Sequence, residues 1–238
     1  MKKLTLLLLI MASFTSTTNT AHSVNPFFAD YETPFQIPPF EEIKMEHYKP
    51  GFEQGMKEHL DEINNITANT EAATFENTFV ALERTGKTLD KVSDVFFNLL
   101  SSNTNDQMDS LAQEMSPKLS AHSDSILLNK DLFHRVKSVY EKRKSLNLNP
   151  EQIRLIEETH KYFVRAGVQL NENSMERLTA INQKLSSLSV QFDQNLLKET
   201  NEGFILVIDD KNQLHGLPKD VVDQASALAE SEDHSGKW

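Results

Sequence analysis

The chain has 238 residues, with 24 Lys and Arg against 35 Asp and Glu, for a net charge of −11. That length suffices to bury the core of one domain or a small pair, and the acidity disfavours nucleic acid and anionic membrane surfaces as partners. The lack of cysteine excludes disulfides, thiolate metal ligands and thiol nucleophiles, while 7 Gly and 8 Pro favour long helices.

Residues 1–23 read as a cleavable signal peptide. Lys2 and Lys3 precede an apolar run from Leu4 to Ala12, and a small, polar stretch through Ser23 follows. Cleavage is expected after Ala21 or Ser23, which implies a secreted or periplasmic protein and takes the net charge down by two, to −13. A short membrane anchor is the alternative for this segment. A lipoprotein is excluded for want of a cysteine, and no later stretch is long and apolar enough to span a bilayer. No membrane contact is therefore expected after signal cleavage.

Residues 24–51 form a Pro- and aromatic-rich arm. Four prolines before Glu41 forbid a regular helix there and predict an extended segment that packs its aromatics on a larger body. From Phe52 the spacing turns helical through Met56, Leu60 and Ile63. Within that helix, "KEHLDE" (57–62) sets His59 one turn before Glu62. Zinc peptidases place two imidazoles on a helix as His-Glu-x-x-His. The second imidazole is missing here, so the stretch is expected to be an ordinary solvated helix face. Asn65-Ile66-Thr67 matches the glycosylation sequon, a triplet that arises often by chance.

A second helix is expected from Thr74 as N-cap, carrying Phe75, Phe79 and Leu82, and a third after Gly86 with Leu89, Val92, Phe96 and Leu99. Met108, Leu111, Met115, Leu119, His122 and Ile126 form another stripe. The neighbouring "SAHSDS" (120–125) holds Ser, His and Asp together, but adjacent helical residues point about a hundred degrees apart and cannot converge as a triad. His122 lies on the apolar stripe and is expected to be a hydrogen-bonded core or boundary residue; the same holds for His160. Leu132, Val136, Val139 and Tyr140 follow, and the basic run Arg135, Lys137, Lys142, Arg143 and Lys144 suits the negative end of a helix.

Asn149-Pro150-Glu151-Gln152 combines an N-cap, a proline at the first helical position and the Gln of a capping box. That helix is expected to bury Ile153, Ile156, His160 and Phe163. The longest helix follows Asn173 with Met175, Leu178, Ile181, Leu185, Leu188, Phe192 and Leu196, a near-heptad spacing that predicts burial in a two-helix or bundle seam. Phe204-Ile205-Leu206-Val207-Ile208 then reads as one strand before the turn Asp209–Asn212, and Pro218 opens a short helix to about Glu230. A lone strand is not stable, so a longer chain is expected. The fold class is mainly α: an antiparallel helical array over 52–200, with one short β element in an incomplete strand-helix unit over 201–238.

Several stretches together resemble one family. They are "NPFF" with "PPFEEIKMEHYKPGFEQGM" (38–56), "TFENTFVALERTG" (74–86), "VFFNLLSSNT" (95–104), "FVRAGVQL" (163–170), "RLTAINQKLSSLSVQFDQNLL" (177–197) and "LHGLP" (214–218). In this order they are similar to the thimet-oligopeptidase-like zinc metallopeptidases, most of all to their peptidyl-dipeptidase branch, over nearly all of residues 25–238. The resemblance implies a helical clamshell whose channel admits short, unstructured peptides and whose Zn2+ sits on a His-Glu-x-x-His helix with a further Glu. None of that motif is present, so no catalytic, cofactor-binding or metal residue is assigned to any position. What matches is the amino-terminal wall of the channel. The partners implied are short peptides and the missing catalytic half of the same chain. By itself this part is expected neither to hold zinc tightly nor to hydrolyse peptides. A stand-alone secreted helical protein that binds peptides or acts like a chaperone is the alternative.

Overall fold

The computed structural model describes residues 25–203 and 205–238; the signal-like segment 1–23 and Phe204 lie outside them. Among the described residues there are seven α-helices: α1 (Met45–Thr67), α2 (Lys87–Ser102), α3 (Asp106–Leu127), α4 (Lys130–Lys142), α5 (Pro150–Ala166), α6 (Glu172–Lys198) and α7 (Lys219–Ser231), with a π-helical turn over Phe75–Val80 before α2. Among the described residues no helix is long and apolar enough to cross a membrane.

The helix starts follow local chemistry. Thr74 caps the π turn, accepting from the Asn77 N–H at 3.1 Å while Asn77 Oδ1 accepts from the Thr74 N–H at 2.8 Å. Asn149 and Gln152 exchange the same pair of bonds at the head of α5, with Pro150 at its first position. Asn105, Asn129 and Asn171 cap α3, α4 and α6.

Two apolar clusters hold the array. One joins the arm, α1, α2 and α3 through Phe27, Tyr48, Phe52, Val92, Phe96 and Met115. Its rings meet edge to face, with Phe52 and Phe96 at 5.3 Å and 84°, the geometry aromatic quadrupoles favour. The other joins α1, the π turn, α4 and α5 through Ile63, Phe79, Leu132, Val136, Ile156 and Phe163. Gly51 and Gly55 bring α1 close to α2. A Cβ on Gly55 would stand 2.8 Å from both the Cα and the N of Leu89, leaving no room for a side chain.

Four expectations are corrected. Helix α1 begins at Met45, inside the expected arm, and contains Pro50. Proline at its sixth position forfeits the bond to the Glu46 carbonyl and crowds that carbonyl, yet the helix continues through it and buries Tyr48, Gly51 and Phe52. The arm packs less than expected. Phe27 is buried, and Asn25 Nδ2 ties the arm to the His47 carbonyl at 2.8 Å, but Phe28 and Phe40 are exposed and Phe35 is 96% exposed at φ 57°.

The apolar stripe of α6 is not buried in a seam. The helix contains no buried residue, because the side turned to α3 is largely polar: Asn182 Nδ2 donates to Asp124 at 2.9 Å and Gln194 Nε2 to the Asp109 carbonyl at 3.0 Å. No strand forms among the described residues. A strand needs a neighbouring ladder, and the segment finds one only at Ile208, which exchanges backbone bonds with Trp238 at 2.7 and 3.2 Å.

Candidate functional site

A cavity of about 440 Å3 opens where α1, the turn after the π helix, α3 and α5 meet. Its lining is mostly apolar, from Leu82, Leu119, Ile126, Tyr162 and Phe163, with Glu83, Thr85, Ser123 and Thr159 among its polar residues beside His59 and His122. The stripes that build the array deliver both imidazoles. His59 stands on α1 between the two clusters, and His122 occupies a buried position of α3.

The two rings lie 5.0 Å apart between centroids, with His122 Nε2 and His59 Nδ1 at 3.1 Å. A consistent count of donors assigns one tautomer to each ring. The Thr85 hydroxyl donates to the Leu82 carbonyl at 2.7 Å, so at its 3.1 Å contact with His59 Nε2 it accepts. His59 Nδ1 is then the bare nitrogen and accepts from the His122 Nε2–H. His122 Nδ1 keeps its lone pair, buried and without a partner among the described residues.

Both rings are held neutral. Burial, reinforced by His59, pushes the His122 pKa down to about 4. Burial also lowers that of His59, against an opposing pull from Glu62 and Asp90.

The "KEHLDE" stretch is thus only half a solvated face. Lys57 and Asp61 do pair at 2.6 Å on the outside. His59, however, joins α1 to α3, and Glu62 accepts the Gly86 N–H at 2.7 Å. Gly86, at φ 79°, lies against the His59 ring, where a Cβ would meet Nδ1 at 3.0 Å. The expectation failed because it weighed neighbours along the helix, and the partners stand 26 and 63 residues away.

The other polar residues behave more locally. Asp124 turns to Asn182 and the Ser125 hydroxyl donates to the His122 carbonyl, so "SAHSDS" makes no triad. His122 is a hydrogen-bonded buried residue, as its stripe predicts. His160 is half-buried and held by stacking rather than by a hydrogen bond, 3.8 Å from the Tyr140 ring, with the Arg143 guanidinium 3.9 Å from the same ring.

No group of three or more His, Cys, Asp or Glu stands where it could hold one metal ion among the described residues. One nitrogen of each imidazole faces the other ring, and the hydroxyl in contact with them, that of Thr85, is engaged by the Leu82 carbonyl. The mostly apolar lining therefore suits an apolar side chain.

No family model matches the chain. It is 36% identical over 216 residues to the dipeptidyl carboxypeptidase of Escherichia coli K12, covering 91% of this chain and 32% of that protein. Oligopeptidase A of the same organism is 24% identical over 204 residues, covering 86% and 30%. A thimet-like oligopeptidase of Dictyostelium discoideum is 27% identical over 186 residues, covering 75% and 27%. The chain thus spans about a third of the length of the relatives it matches.

Proposed function

The chain belongs to the thimet-oligopeptidase-like peptidase family, and we propose that it is the amino-terminal part of an exported zinc metallopeptidase of peptidyl-dipeptidase type. The carrying observation is the 36% identity to a dipeptidyl carboxypeptidase over 91% of the chain. The relative's name describes removal of dipeptides from a carboxyl terminus. Here that activity belongs to the whole protein, of which this chain forms one wall of the peptide channel.

The described residues do not fit a zinc ion, for want of three convergent ligands. No step of hydrolysis is assigned to them. Their part is binding. The apolar cavity beside His59 and His122 takes up a side chain of an extended peptide, and the rigid array around it fixes where the backbone runs. The Lys2–Ala12 leader directs the protein to the periplasm or the outside.

The test uses short peptides with free or amidated carboxyl termini. The isolated chain is expected to bind both weakly and to release no dipeptide, with or without added zinc. Stoichiometric submicromolar zinc uptake, or cleavage abolished by a chelator, overturns the assignment. Tight, saturable peptide binding by the chain alone instead supports a stand-alone peptide-binding protein.

A further inference from the structure

Three of the four ring nitrogens of His59 and His122 are engaged. The His59 Nε2–H donates to the Thr85 hydroxyl, whose own proton goes to the Leu82 carbonyl. The His122 Nε2–H donates to His59 Nδ1 at 3.1 Å. The fourth nitrogen, His122 Nδ1, is buried with no partner among the described residues. One further proton therefore has a single place to go. Whichever ring carries the charge, the proton between the rings is shared, and the added one ends on His122 Nδ1.

That position suits a lone pair and not an N–H. A donor buried there without an acceptor is costly, and so is a charge beside apolar walls. The titratable groups that face the pair are Glu62 of α1, Asp90 of α2, Glu83 of the turn before α2 and Tyr162 of α5. Glu62 and Asp90 act on His59, and Glu62 already accepts the Gly86 N–H at 2.7 Å. Among the described residues Glu83 is the one carboxylate that lines the cavity, and no Lys or Arg lines it. An added proton is relieved only if the His122 ring turns until its new N–H meets water or a carboxylate, which breaks the contact with His59.

We infer that the two imidazoles are a one-proton latch on the cavity. Neutral, the pair ties α1 to α3 and leaves the lining mostly apolar. Protonated, it parts and sets a charged ring in the cavity, which then rejects an apolar side chain. This regulation rests on the reading of the cavity as a site for a peptide side chain. Linkage makes it reciprocal: an occupied cavity opposes the proton as strongly as the proton opposes the occupant.

The test uses acetyl-Ala-Phe-Ala-amide, which has no titratable group, so any pH dependence of its binding belongs to the protein. Binding is followed by the methyl resonances of Leu119 and Ile126, which line the cavity. Affinity is expected to be constant above pH 6.5, where both rings are neutral. By pH 4 it is expected to fall about threefold or more, with a slope approaching that of a single proton. Nitrogen-15 spectra of the imidazoles are expected to place the added proton on His122 Nδ1, at a pH that moves down when the peptide is bound. In His122→Leu, checked by circular dichroism at both pH values, the ratio of affinities at pH 7 and pH 4 is expected to stay below about 1.5, whatever the affinity at pH 7.

No saturable binding at pH 7 overturns the cavity reading and the latch with it. Equal affinity at pH 7 and pH 4, or a fall that His122→Leu retains, overturns the latch and leaves the cavity reading standing. A His122 titration that the bound peptide does not move has the same meaning, and it decides the matter alone if the variant does not fold.

Discussion

Residues 25–168 and residues 172–238 use the same kinds of side chain to opposite ends. In the first region the apolar stripes of α1 to α5 meet one another, and nearly every buried hydrophobic residue lies there. In the second, a stripe as regular as any other is left in solvent, and among the described residues only Leu214 and Ala229 are buried. Periodicity shows that a helix has an apolar face. Whether the face is covered depends on what else is present to cover it.

The sharpest way to probe the contrast is to truncate one phenylalanine in each region. Phe96 is fully buried among Tyr48, Phe52 and Phe97, so Phe96→Ala is expected to cost about 3–5 kcal/mol in denaturant unfolding. A loss below about 1 kcal/mol would mean that the first cluster is loosely packed.

A change of the opposite kind tests the close approach of α1 and α2. Gly55→Ala adds a single methyl where the Leu89 backbone stands 2.8 Å away. A loss of about 2–3 kcal/mol is expected, because backbone cannot rotate aside as a side chain does. An unchanged midpoint would show that the two helices slide apart freely.

Acidification addresses the histidine pair. His122 ordinarily titrates near 6.5 and is pushed down to about 4 in the fold, so between those values the unfolded chain binds the extra proton. Stability is therefore present in full above pH 6.5 and is lost as pH falls toward 4, by on the order of 2 kcal/mol. His59 adds a loss of the same sign. Urea unfolding at pH 7 and pH 4.5, repeated with His122→Gln, checks this; an equally steep fall in the variant would move the origin elsewhere.

The smallest effect belongs to the second region. Phe192→Ala is expected to change the stability of the isolated chain by less than about 0.5 kcal/mol, as for surface positions without special contacts. A larger loss would show that the α6 seam is covered after all.

Legibility in the sequence followed the range of the interactions. The caps at Thr74 and Asn149 need residues only three positions apart and were readable, as was the stripe of α3; in α5 Ile156 and Phe163 are buried as expected, but Ile153 and His160 are only half-buried. The start of α1 was missed because the Pro- and aromatic-rich arm was read through Pro50, although the four prolines that forbid a helix all precede Glu41. The His59–His122 contact spans 63 residues and leaves no spacing to recognise. Its one hint was that both imidazoles sit beside apolar stripe positions. The strand over 204–208 failed differently: its residues favour a ladder, but pairing is a property of two segments.

Helix α1 has a mechanical consequence. Its 23 residues, some 35 Å of rod at helical rise, place Phe52 in one apolar cluster and Ile63 in the other, with Gly55 and His59 between. A rod clamped at both ends cannot tilt at one end alone. A side chain at the glycine contact is therefore expected to disturb both clusters together, and a single unfolding transition for both is the expected outcome.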